Sequence, residues 1–471
     1  MSAGRHTGRV AEVARLAWPA ALSFLLNNAY RINDQFWIQG LGSAAQAAIG
    51  AVFFVVIMGF AVIFLAVGGT LSMVSRAVGA NAPETRDSVA RHAILFAFVI
   101  GLVLMLVVRG LAPGIVALLG LEGESARFAE EYLHTLYLFA VPLAVFPTID
   151  NIFFGRGNTL VPMTMQIAAV ALNYLLNPLL IYGPEAAERM SAPGVALVAA
   201  TAESLGIEGH GIKGAAIATG LSRTITVVIA LAILRFGFGM KLLGSLRPKL
   251  RRIGSIARIS LPSSLSIGIY AGVYWALFGL VLHRLGQDVK AGLGIGFQVF
   301  EGVAFPTYLG LSVAGATLVG RALGAQDPDG AWRVVRSTRF LGRILGLLYA
   351  AAFLLGGPFL VSLFTQSASV ERETVLYVTV LAFSQYWVAV EAVNERVLIG
   401  SGHTGPIAWI SPLGNLLRIP LAWFLALTAG FGAVGVWWAI NLTTFLKAGL
   451  LWRTVQNGKW VHQRVLESEP D

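Results

Sequence analysis

Long stretches of this chain carry no charge at all. Uncharged runs such as 42–75 and 157–184 exceed the about 20 residues that a helix needs to cross the hydrocarbon core of a bilayer. Read from such runs, the pattern predicts twelve spanning helices, near 15–38, 47–72, 92–114, 130–152, 161–183, 212–236, 257–282, 291–319, 340–365, 374–398, 406–428 and 433–455. The expected class is therefore an all-α polytopic membrane protein. The first span breaks its apolarity in an ordered way: Asn27, Arg31 and Asp34 fall at i, i+4 and i+7, with Asn28 and Gln35 alongside. Such a helix has a polar face that must look into protein or water.

Composition agrees with lipid as the solvent. The 471 residues are 56% hydrophobic and only 12% charged, with a mean hydropathy of +0.73, too little polar surface for a water-soluble globule of this size. The 53 glycines suit close helix packing where apolar side chains gain little by leaving lipid. The net charge of +10 matters through its distribution. With the N-terminus in the cytoplasm, most Lys and Arg fall in or beside inside segments, including Arg247, Lys249, Arg251, Arg252, Arg333, Arg336 and Arg339, whereas Glu122, Glu124, Glu130, Glu131, Glu185, Glu188, Glu203 and Glu208 mark outside loops. That asymmetry predicts a multi-pass protein of the bacterial cytoplasmic membrane with both termini cytoplasmic, and argues against a nucleic-acid partner. Arg31, Arg223, Arg396 and Arg418 are the basic residues read within spans. Arg5, Arg9 and Arg15 precede an apolar stretch as in a signal peptide, but its length reads as an uncleaved first span. With no Cys and with seven His in no close pair, neither a thiolate metal site nor an intramembrane enzyme is expected, and no cofactor.

The chain repeats itself. Val74-Ser75-Arg76-Ala77-Val78-Gly79-Ala80 returns 245 positions on as Val319-Gly320-Arg321-Ala322-Leu323-Gly324-Ala325, with Pro83 and Pro328 in register. Gly155-Arg156-Gly157-Asn158-Thr159 returns at the same spacing as Gly400-Ser401-Gly402-His403-Thr404. Asn173 with Pro178 recurs as Asn415 with Pro420, and Gly211 with Gly214 as Gly432 with Gly435, the changed spacing placing an insertion after Pro184. A duplicated six-span unit follows, related by a pseudo-two-fold axis along the membrane normal. The expected layout is an N-terminal lobe, 1–240; a cytoplasmic linker, 241–256, broken by Gly244, Ser245 and Pro248; a C-terminal lobe, 257–455; and a cytoplasmic tail, 456–471.

In both halves the chain resembles the multidrug and toxic compound extrusion (MATE) family. The likeness rests on Asp34 followed by an apolar run and Leu41-Gly42, the Val-x-Arg-Ala-x-Gly-Ala ends of spans 2 and 8, the Arg156-Gly157-Asn158-Thr159 loop, and Asn173 to Gly183, and it covers roughly residues 14–455. It implies a secondary-active antiporter that exports a small organic molecule, cationic or amphipathic, as two lobes rock. The driving ion it implies is a proton or sodium. By the same resemblance, an N-terminal cation site combines Asp34, Asn173, Asn177 and Thr219, with Asn177 standing where the family usually has Asp; sodium is a candidate there. The family's C-terminal acids would fall at Tyr270 and Val388, so that site is not expected.

Ionisable groups inside spans are costly and are candidates for ion or substrate handling. Asp34 has Leu277 as its repeat partner, so its charge is not a symmetric scaffold feature. Either it takes up and releases a cation, or it forms an ion pair with Arg31 one turn away. Glu301, near the midplane of span 8 and matched by Val56, either couples likewise or is structural, paired with Arg418 or hydrogen-bonded to a facing helix. Glu391 and Glu395 share a face, and Glu395 matches Asp150, a symmetry more expected of structural acids. Asn27, Tyr30, Arg31, Tyr270, Tyr274, Glu391 and Arg418 are read as lining a substrate cavity, the aromatics by stacking or cation–π attraction. The rival function is a lipid or lipid-linked precursor flippase, to which Arg31, Arg223 and Arg418 would offer phosphate ligands. The chain is expected to act as a monomer.

Overall fold

The computed structural model describes residues 2–242, 249–463 and 465. Of the expected linker and tail, Gly244, Ser245, Arg247 and Pro248, with 464 and 466–471, lie outside them. Among the described residues the regular structure is helical throughout. The long helices are α1 (Ser2–Ile38), α2 (Ser43–Gly79), α3 (Pro83–Leu118), α4 (Gly123–Gly155), α5 (Leu160–Ile181), α6 (Ile212–Gly237), α7 (Leu250–Leu285), α8 (Gln287–Gly324), α9 (Pro328–Ser362), α10 (Ala368–Ser401), α11 (Ile407–Thr428) and α12 (Gly432–Gln456). Eleven of these, α2 to α12, are long and apolar enough to cross a membrane. The first, at 37 residues, has the length, but its polar face keeps it below that apolarity. A shorter apolar helix, Val195–Leu205, occupies the insertion after Pro184.

Two hydrophobic cores divide the molecule. One is drawn from residues 37–240 and includes Trp37, Leu133, Ile149 and Phe153; the other, from 273–440, includes Val281, Tyr308, Tyr377 and Trp437. Helix α1 serves both halves, since Val13 and Leu16 pack with Leu311, Leu318 and Val397 of the second.

The repeat seen in the sequence is reproduced in backbone detail. Helix α2 ends with Asn81 in the left-handed region, φ 53°, and α8 ends with Gln326 there, φ 57°. Both ends are closed by the same bond pair: Ala82 and Asn81 donate to the Ala77 and Val78 carbonyls, Asp327 and Gln326 to those of Ala322 and Leu323. This is the Schellman closure, and Pro83 and Pro328 then start α3 and α9, where a missing N–H costs nothing.

Small residues let the two halves touch along this axis. A methyl group at Gly79 would lie 2.0 Å from the Arg321 carbonyl oxygen, and one at Gly324 would lie 2.1 Å from that of Arg76. Nearby, Gly69 abuts Ile256 and Gly310 abuts Ala21, and Gly69 donates its N–H to Ser260 Oγ at 2.7 Å. Each lobe then reaches across with one arginine. Arg76 donates to the Ser401 carbonyl at 2.7 Å, and Arg321, its repeat partner, donates to the carbonyl of Arg156, the partner of Ser401. Val465 packs on Gly402, so this double clasp sits on the face that carries the chain's end. Deeper in, Asn28 Nδ2 bonds the Gly302 carbonyl at 3.0 Å, and further along α2 and α7 Phe54 meets Phe278 edge-on, 6.5 Å between centroids.

Candidate functional site

The polar stripe of α1 turns into the N-terminal lobe and meets α5 and α6. Asp34, 8% exposed, accepts three hydrogen bonds there: from Asn173 Nδ2 at 2.9 Å and Asn177 Nδ2 at 2.8 Å on one oxygen, and from Thr219 Oγ1 at 3.0 Å on the other. Asn173 and Asn177 stand one turn apart on α5 and so present both amides to one carboxylate. Asn33 Nδ2 donates to the Asn173 oxygen at 2.6 Å, and Asn33 Oδ1 in turn accepts from Trp37 Nε1 at 3.0 Å. One polar atom of this cage is left over, the oxygen of Asn177, buried without a partner. Buried acceptors are rarely left so, and each asks for an explanation.

Arg31 does not pair with Asp34. Its guanidinium turns away, donating to Asn28 Oδ1 at 2.8 Å and lying 4.6 Å from the Phe53 ring. The cation that braces this region is Arg223 of α6, which donates to Gln166 at 2.8 Å and Asn27 at 2.9 Å and lies between the Tyr30 and Phe146 rings. Tyr30, read as a cavity residue, is 4% exposed, and its hydroxyl bonds Ser222 and the Thr219 carbonyl. It fixes α6 beside Asp34.

The C-terminal lobe gathers the other candidates. Tyr270 and Tyr274 of α7 stand 4.7 Å apart, with Phe297 of α8 5.8 Å from Tyr274 and Arg418 of α11 5.7 Å over the same ring. Glu301 lies half-buried beside them and is held by Gln385 Nε2 at 2.8 Å, while the Gln385 oxygen takes the Tyr308 hydroxyl. Of the structural alternatives for Glu301, the hydrogen bond to a facing helix is made, through Gln385, and the Arg418 pair is not: Arg418 donates to Thr443 at 3.1 Å and Thr444 at 3.5 Å. Glu391 is engaged by Lys447 of α12, 2.7 Å away, which also bonds Asn415 at 3.0 Å. Lys447 is 5% exposed, a buried basic residue of span 12 that the sequence reading did not place among those within spans. The overlooked sign was its place eight residues inside the predicted end of span 12. Gln166 was overlooked too, although it lies seven residues, two turns, before Asn173 on the same face.

Among the described residues no group of three or more His, Cys, Asp or Glu could hold a metal ion. The site can do something simpler: hold a small cation against one buried carboxylate and a few neutral oxygens.

Comparison with known proteins places this geometry. The MatE family model matches residues 19–179 and 262–424, once in each half. The chain is 26% identical over 474 aligned residues to the probable multidrug resistance protein NorM of Thermotoga maritima, covering 97% of this chain and 94% of that one. It is 24% identical to the multidrug export protein MepA of Staphylococcus aureus, over 84% of this chain and 81% of that. Its fold is similar to a solved outward-facing conformation of a multidrug resistance MATE family transporter, with a TM-score of 0.84, 21% identity and 97% of each chain covered. A family model matched twice, over a duplicated twelve-helix membrane bundle, means that the chain belongs to the MatE family of multidrug efflux transporters.

Proposed function

We propose that this protein is a secondary-active antiporter of the bacterial cytoplasmic membrane, both termini cytoplasmic, exporting small organic molecules of amphipathic or cationic character against inward movement of a proton or sodium ion. The single observation that carries the reading is the Asp34 cage, in which three neutral donors converge on one buried carboxylate beside the unpartnered oxygen of Asn177. A carboxylate kept from lipid, whose direct partners are all neutral donors, gains most from a cation that arrives and leaves. Either ion suits these groups: a proton on Asp34 would have the Asn177 oxygen as acceptor, and a sodium ion would draw in the side-chain oxygens of Asn173, Asn177 and Thr219.

Alternation would follow from the clasp. With the lobes joined on the face of the chain's end, which the charge asymmetry makes cytoplasmic, they would part at the opposite face, and cation uptake at Asp34 would favour the reverse rocking. The aromatic wall of Tyr270, Tyr274 and Phe297 offers stacking to a flat cargo. Arg223 and Arg418, which a flippase would offer to a phosphate headgroup, are bonded instead to Gln166 and Asn27 and to Thr443 and Thr444, which favours export over the flippase reading.

The test is transport by purified protein in liposomes. Efflux of a fluorescent organic cation should follow an imposed proton or sodium gradient, and Asp34→Asn should remove that dependence while leaving the melting temperature close to wild type. Full gradient-driven efflux by Asp34→Asn, or lipid scrambling without any ion dependence, would overturn the proposal.

A further inference from the structure

The two lobes use the same repeated asparagine for different purposes. Asn173 of α5 stands at the Asp34 cage; Asn415, its repeat partner on α11, stands at a second cage in the C-terminal lobe, with Glu391 of α10 as the acid. The first cage has an acceptor with nothing to accept. The second is filled by a group of this chain, since the Lys447 ammonium bonds both Glu391 Oε1 at 2.7 Å and Asn415 Oδ1 at 3.0 Å. An ammonium is a compact cation with three donors, and two of them are satisfied here by the oxygens a small cation would use.

The seat is built for the side chain. Lys447 lies across Gly414, where a methyl group would fall 2.2 Å from Lys447 Cγ and 2.6 Å from Cδ, so any other residue would displace its stem. Neighbouring cations are kept off Glu391 by other partners: Arg418, one turn from Asn415, is taken up by Thr443 and Thr444. Arg396 lies over the Phe64 ring of the other lobe at 5.6 Å. Among the described residues, Lys447 is the cation within ion-pair distance of Glu391.

We propose that Lys447 is a resident cation, held by Glu391 and Asn415 in the C-terminal lobe as a covalently tethered substitute for an exchangeable ion, so that this lobe takes no coupling ion of its own. The comparison with the first cage rests on the coupling role proposed for Asp34; the occupancy of the second cage does not. Truncating Lys447 leaves a half-buried carboxylate uncompensated, which should make that carboxylate dependent on a cation from solution.

The experiment removes Asp34 first, so that its outcome is independent of the coupling proposal. In detergent, the melting temperature of Asp34→Asn is compared in choline chloride, sodium chloride and ethylammonium chloride at equal ionic strength. Asp34→Asn alone should respond to none of them. Adding Lys447→Ala should lower the melting temperature in choline, and sodium or ethylammonium should raise it again by about 2–4 °C, the scale of a bound stabilising ligand. The control adds Glu391→Gln and Lys447→Met together, which should restore stability and abolish the cation response. If Lys447→Ala does not fold while the neutral pair does, the need of Glu391 for a cation is upheld. An indifferent Lys447→Ala, or a neutral pair no more stable than it, would overturn the proposal.

Discussion

At the residue scale, the Asp34 cage differs from what its family resemblance implies by one atom type, the Asn177 amide in place of a carboxylate. Asn177→Asp would set a second acid beside Asp34, and two like charges in one buried site hold the first cation more tightly than either alone. Its apparent affinity for the coupling ion should rise about tenfold, the equivalent of about 1.4 kcal/mol, in ion-dependent efflux from liposomes. Unchanged affinity would place the driving ion elsewhere. Arg223→Lys is expected to weaken the same site indirectly. A point-charge ammonium cannot span Gln166 and Asn27 as the planar guanidinium does, nor lie between two rings, so stability should fall by about 1–3 kcal/mol in thermal unfolding. Asp34 could be singled out in the sequence because Asn27, Arg31 and Asp34 mark one helical stripe. Its partners Asn173 and Thr219 lie 139 and 185 positions away, a distance no spacing rule bridges, and they came only through the resemblance. Which way Arg31 turns was beyond reach for another reason: Phe53 and Asp34 both lie within a guanidinium's span, and packing decides between them.

At the scale of elements, α2 and α8 cross where Gly79 meets Arg321 and Gly324 meets Arg76. Both near contacts are to backbone, which cannot swing aside as a side chain does. Gly79→Ala should therefore separate the helices and cost about 1–3 kcal/mol, with Gly324→Ala costing a similar amount, both read as melting temperature. Equal stability of either variant with wild type would mean that the crossing is looser than it looks. These ends were legible because duplication printed the same seven-residue pattern twice with Pro following. The apolarity of α1 was misleading in the other direction, since a helix that lies against both halves can afford a polar face that a lipid-bound helix cannot.

For the whole molecule, the clasp of Arg76 on Ser401 and Arg321 on Arg156 joins the two lobes at one end. A charged hydrogen bond of this kind contributes about 1.5–3 kcal/mol, so Arg76→Gln and Arg321→Gln should each release the closed state, and by similar amounts. The chain has no Cys, which makes Ser264→Cys a clean reporter: buried at 7% exposure and bonded to the Ala61 carbonyl at 2.6 Å, it should react with a thiol reagent about tenfold faster or more once either arginine is replaced. No acceleration would show that other contacts keep the lobes together. Both arginines grip main-chain oxygens, not side chains, and this has an evolutionary meaning. A gate that reads backbone is blind to what the receiving loop carries, so the two loops have been free to become Gly-Arg-Gly-Asn-Thr and Gly-Ser-Gly-His-Thr without loosening it. The same tolerance lets the chambers above specialise, one around Asp34 and the other around Lys447, while the ancestral two-fold pivot beneath them stays in use.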